Sequence, residues 1–188
     1  MIMNNQIEMI DHVLGELQKN VARSTMQFFL IGWVLLAGCI MHLLLGVMGK
    51  YEWIQINWII VPIASVLLGL ISGFRQKVPT HMSTSEKLLK HVWGVVGLVM
   101  IYLSFIAPLL GIIPQTIVLP VILSLMFISV VITGLTIKHT PTIILSSLWF
   151  IGSVVISYVP PEYYVHILLV VVLGGYLLPA YLIKVKFR

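Results

Sequence analysis

His42 interrupts the first long apolar run of the chain, Phe28 to Met48, FFLIGWVLLAGCIMHLLLGVM. An imidazole in that setting could carry protons, ligate a metal or act as a base. The carboxylates that usually accompany such chemistry lie elsewhere. None of Glu8, Asp11, Glu16, Glu52, Glu86 and Glu162 lies in the core of an apolar run, and no Lys or Arg does either. Proton relays, ion-coupled carriers and voltage sensors place ionisable groups inside the bilayer. Here His42 does so clearly, while His91 and His166 sit near helix starts.

Motifs for hydrolysis are absent. There is no His-Glu-x-x-His zinc pair. Ser72 lies in Gly69-Leu70-Ile71-Ser72-Gly73, which does not match the G-x-S-x-G elbow. His81 and Glu86 have the spacing of a His-x4-acid pair, but Glu86 completes a capping box with Ser83. The single cysteine, Cys39, cannot form an internal disulfide and reads as a small apolar packing residue. The expectation is a protein that is not an enzyme, with no catalytic, cofactor-binding or metal residues and no cofactor. His42 is the intramembrane polar contact. Gly38, His42 and Gly46 are successive i+4 neighbours on one helix face. The ridge predicts that His42 points into a bundle, neutral, bonded to a Ser, Thr or Tyr hydroxyl or to a carbonyl freed by a proline.

The elements that position His42 follow from composition. The chain is 60% hydrophobic and 9% charged, with mean hydropathy +1.08. Soluble domains carry about 25% charged residues. The apolar residues come in runs of roughly 17–25, the length that crosses ~30 Å of hydrocarbon. The fold class is therefore all-α: a polytopic membrane protein with six transmembrane helices, arranged as three helical hairpins and preceded by a cytoplasmic amphipathic helix. Spans are expected near 28–48, 58–74, 88–107, 114–137, 141–158 and 161–184. Asn57 reads as the N-cap of the second span and Thr140-Pro141 as the start of the fifth. Pro62, Pro108, Pro120 and Pro179 are kink candidates. Trp and Gly pair in each odd span: Gly32-Trp33, Trp93-Gly94, and Trp149 with Gly152.

Residues 1–24 form a separate cytoplasmic unit, followed by the membrane domain 25–188. Ile7, Ile10, Leu14, Leu17 and Val21 continue an a/d seam from Met3, which predicts an amphipathic helix. Lipid-gripping helices are rich in Lys and Arg. This one sets Glu8, Asp11 and Glu16 against Lys19 and Arg23, which shifts weight toward a protein contact, with a helix lying at the membrane surface without a specific partner as the alternative. Ser24 and Gln27 form a capping box that restarts the chain as the first span.

With six spans and an inside N-terminus, Lys50 alone of the 11 Lys and Arg falls on the outer side. That asymmetry predicts cytoplasmic termini. The net charge of +5 then reports topology, with no direct nucleic-acid partner. The expected partners are the lipid bilayer, a second copy in a homodimer, and a cytosolic regulatory protein reached through residues 1–24.

The N-terminal amphipathic helix, Phe28-Phe29-Leu30-x-Gly32-Trp33, the short basic cytoplasmic loop and six compact spans resemble an uncharacterised family of small bacterial inner-membrane proteins. Such proteins are often encoded beside a winged-helix transcriptional regulator. The resemblance implies a bacterial cytoplasmic (inner) membrane location and a regulatory partner. It brings no functional residues. Three functions stay open: association as a sensor or tether for a cytosolic regulator, a small permease or channel-like protein for neutral or apolar compounds, and an intramembrane enzyme.

Overall fold

The computed structural model describes residues 29–75 and 84–186. The seam residues Ile7, Ile10, Leu14, Leu17 and Val21, the capping box Ser24–Gln27 and His81 lie outside the described residues. Six helices follow in order, with no strand among the described residues. They are α1 (Phe29–Val47), α2 (Tyr51–Arg75), α3, α4 (Gln115–Thr136), α5 (Thr140–Ile156) and α6. Helix α3 runs Thr84–Ile101, passes through a π segment at Tyr102–Ile106 and ends with Ala107–Leu109. Helix α6 opens with a 3-10 turn at Pro161–Tyr163 and continues as Tyr164–Val172, a π segment Leu173–Leu177 and Leu178–Lys186. Five of these helices are long and apolar enough to cross a membrane, while α5, with 17 residues, is shorter. Five such helices in one chain make a multi-pass membrane protein.

Two boundaries differ from the sequence reading. Helix α2 begins at Tyr51, so Asn57 lies inside it and is not its N-cap. No Gly or Pro interrupts Glu52 to Trp58, and Glu52 in the first turn complements the positive end of the helix dipole. Helix α5 begins at Thr140, with His139 as its N-cap residue.

Three turns share one device. Gly49, Gly111 and Lys138 have positive φ, at 70°, 67° and 52°. In each, the next residue's N–H returns to a carbonyl five positions back: Lys50 to Leu45, Ile112 to Ala107, His139 to Gly134. This is the Schellman closure of a helix end. At Lys138 the chain adopts it without glycine.

The π segments also share a cause. Each ends two residues before a proline, Pro108 in α3 and Pro179 in α6. Proline brings no N–H and its ring crowds the preceding turn. Widening that turn by one residue is a common accommodation.

Helices α4, α5 and α6 form the packed centre, with Leu123, Trp149, Ile156 and Val172 buried between them. Lipid tails are as apolar as Leu, so close packing and hydrogen bonds must hold such a unit. Gly134 and Gly152 allow it: a Cβ there would meet Ile143 at 2.7 Å and Val171 at 2.6 Å. Helix α1 lies on α6, where a Cβ at Gly32 would come 2.6 Å from Leu177 and 2.8 Å from Tyr176. The Lys184 ammonium sits 5.5 Å from the centre of the Phe29 ring, a cation–π contact between the same helices. Helix α3 packs on α4, and among the described residues α2 and α3 share no extensive contact. Only 6% of the α2 membrane window is buried.

Candidate functional site

His42 is half-buried on α1, and its partner comes from α2. The Trp58 indole Nε1–H donates to His42 Nδ1 at 2.7 Å. The rings meet edge to face, with centroids 5.9 Å apart and planes at 64°. Close by, Asn57 Nδ2 donates to the Gly38 carbonyl at 3.0 Å. A Cβ on Gly38 would come 2.5 Å from Val61 Cγ2. Helices α1 and α2 are thus joined by two polar bonds and one close backbone approach.

This differs from the expected hydroxyl or freed carbonyl. The reason is register: His42 and Trp58 are 16 residues apart, centred on Lys50 in the turn. Antiparallel helices joined by a short turn bring such symmetric positions to one height. The ridge also shortens. Gly38 is in tight contact, but a Cβ at Gly46 would meet nothing within 4 Å.

The geometry restricts what His42 can do. An indole N–H only donates, so Nδ1 must hold its lone pair and the ring proton sits on Nε2. A metal-binding histidine has the opposite arrangement, donating one N–H outward and ligating through the other nitrogen. Among the described residues, no three of His, Cys, Asp or Glu come together as a metal site. Cys39 is fully buried as a free thiol.

Several other hydroxyls bond to their own helices. Ser129 donates to Leu125 O at 2.7 Å, Thr133 to Ser129 O at 2.8 Å and Ser65 to Val61 O at 2.8 Å. Ser124 and Ser153 share the Pro120 carbonyl and lie 2.8 Å from each other, a polar stitch between α4 and α5. Trp93 Nε1 donates to Thr133 Oγ1 at 3.1 Å, joining α3 to α4. Among the described residues, no buried side-chain nitrogen or oxygen lacks a partner.

A groove of about 300 Å³ runs between α5 and α6. Ile151, Gly152, Val155, Ile167 and Val170 line it, with His166 its one ionisable side chain. At the opposite end of α5, His139 is buried at 4% exposure and its Nδ1 lies 2.7 Å from Thr142 Oγ1. Burial, then the nearby Lys186 charge, lowers the His139 pKa below its ordinary 6.5. That ring is therefore neutral at pH 7.

No family model, no curated protein and no solved structure matches this chain. The reading of the site rests on its own residues.

His42 was visible in the sequence as the polar residue of an apolar run. Asn57, Trp58, Trp149 and His139 were not singled out as polar contacts. For Trp58 the signal was its mirror position to His42 about the turn. For Trp149 it was the proline in α6, since Pro179 leaves the Gly175 carbonyl without its helical donor.

Proposed function

We propose that this chain is a non-enzymatic membrane protein that works by association, as a sensor or as a membrane tether for a cytosolic regulator. The supporting observation is that buried and half-buried Ser and Thr hydroxyls bond backbone carbonyls, of their own helix at Ser65, Ser129 and Thr133 and of the adjacent helix at Ser153. Polar groups held in this way do not form a path for a polar solute, and no carboxylate lies among them. In this reading six helices span a bacterial cytoplasmic membrane as three hairpins, with both termini inside. Residues 1–24 reach the partner, and a second copy can pair with the first. The resemblance to small inner-membrane proteins encoded beside winged-helix regulators agrees with such a partner. Deleting residues 2–22 tests the idea: co-purifying cytosolic protein should be lost while the membrane domain still inserts. Unchanged recovery would overturn it.

A second reading, a permease for apolar compounds, is favoured by the α5–α6 groove and by the paired breaks in α3 and α6. Interrupted helices in both halves of a transporter often mark its moving parts. Val155→Trp would fill the groove from its exposed side. If reconstituted protein speeds passage of an apolar fluorescent probe into liposomes, and this variant does not, the permease reading takes precedence.

A further inference from the structure

We propose that His42 and Trp58 form an acid-sensitive latch between α1 and α2, released when one proton binds His42. The 2.7 Å bond requires a lone pair on Nδ1, because the indole can only donate. An imidazolium has N–H on both nitrogens and accepts nothing. Protonation therefore turns a donor–acceptor pair into two opposed N–H groups. Histidine is the side chain whose unperturbed charge change falls between pH ~5 and ~8.

The site is placed for this role. His42 lies five residues before the end of α1, ~8 Å along the axis at 1.5 Å per residue. Protons from interfacial water can reach that depth. The neighbouring contacts do not titrate: Asn57 to Gly38 O, and Gly38 against Val61. They hold the helix pair together while Trp58 lets go, so the release is local.

The titratable groups near His42 come from three helices and one turn. Helix α6 contributes His166, which is exposed. At the same end of α6 stand Glu162, Tyr163 and Tyr164, with Tyr164 partly buried against the core. Helix α2 carries Tyr51 and Glu52, both exposed and more than one turn before Trp58, and the joining turn carries Lys50. On α1 itself the other titratable group is the buried Cys39. No carboxylate takes part in the His42–Trp58 contact, so an added proton has no anion there to bind. The latch stands apart from the association reading, because its test reads the helix pair and not a partner.

The test is nitrogen-15 indole NMR on the full chain in detergent micelles. Trp58→Phe assigns the Trp58 indole signal, and the other four tryptophans report on the overall fold. Between pH ~8 and ~5 the protection of the Trp58 N–H, taken relative to the intrinsic indole exchange rate at each pH, should fall about tenfold, as expected for one lost hydrogen bond. The other four should hold steady. Imidazole nitrogen shifts should show His42 Nδ1 as an acceptor at pH ~8 and as N–H at pH ~5. His42→Gln keeps an acceptor that does not titrate, so its Trp58 signal should be independent of pH. In His166→Gln the transition should persist, because the bond that is lost belongs to His42 and Trp58. An unchanged wild-type Trp58 signal across this range would overturn the latch. So would the same transition in His42→Gln, or its loss in His166→Gln alone. Should His42→Gln fail to fold, the wild-type imidazole shifts decide the matter.

Discussion

Trp149 Nε1–H donates to the Gly175 carbonyl at 2.8 Å, joining α5 to the π segment of α6. In a regular helix that carbonyl would accept from residue 179, which is proline and has no N–H. The indole, only 2% exposed, supplies the missing donor. Glycine is needed opposite it, since a Cβ on Gly175 would lie 2.8 Å from the indole nitrogen. Trp149→Phe should therefore cost about 1–3 kcal/mol, the penalty for a buried carbonyl left unpaired, beyond any loss of packing. Pro179→Ala restores a backbone N–H, so Trp149→Phe should cost less in that background. A double-mutant cycle of thermal unfolding in detergent reads this directly. Equal costs in both backgrounds would show that the indole and the proline are not linked.

Gly38 and Gly46 should respond in opposite ways to alanine. At Gly38 the new methyl would meet Val61 at 2.5 Å and push α1 from α2, loosening the Asn57 bond as well. At Gly46 the methyl meets nothing within 4 Å. Gly46→Ala should then stabilise the helix by up to ~1 kcal/mol, the usual propensity difference. Unfolding midpoints of the two variants against wild type check the pair. A loss at Gly46 equal to that at Gly38 would restore the full glycine ridge.

That contrast marks how far the sequence could be read. The positions of the helices were legible, because bilayer thickness demands long apolar runs and turns need Gly, Pro and polar residues. The local geometry was not. Trp33, Trp93 and Trp149 look alike in sequence, each with a glycine within three residues. In the structure Trp33 is half exposed, Trp93 bonds Thr133, and Trp149 closes the break in α6. Their environments depend on which helix lies opposite, and an apolar alphabet does not encode that neighbour. Pro108 and Pro179 were legible as breaks, but not as π segments, since a proline can also be met by a simple kink. His42 stands out by polarity alone, whereas its partner follows only from the register across the turn at Lys50, which pairs positions 42 and 58.

Lys138 closes α4 with a φ of 52°, where Gly49 and Gly111 do the same work elsewhere. A Cβ in that conformation costs roughly 1–2 kcal/mol. Lys138 is exposed, so its side chain gives little packing in return. Lys138→Gly should raise the unfolding midpoint, and Lys138→Ala should not. If both variants lose stability equally, the lysine charge rather than the backbone governs this turn.

His139 gives the opposite end of the bundle its own dependence on pH. It is the N-cap residue of α5, buried, with its carbonyl accepting from Thr142 N–H at 3.1 Å. Burial first, and the Lys186 charge second, depress its pKa below the ordinary 6.5. The folded state therefore favours the neutral ring, and the unfolded chain binds the proton more readily. Stability from this site is fully present above pH 6.5 and is lost as pH falls through the lower folded value. Asparagine caps helices well and does not titrate. His139→Asn should thus leave stability near wild type at pH ~8 and remove part of its decline below the ordinary His value. The His42 latch also acts in that range, so the reading is the difference between the wild-type and variant curves of unfolding midpoint against pH. Parallel curves would mean that His139 takes up its proton equally in the folded and unfolded chains, and that the pH response belongs to another group.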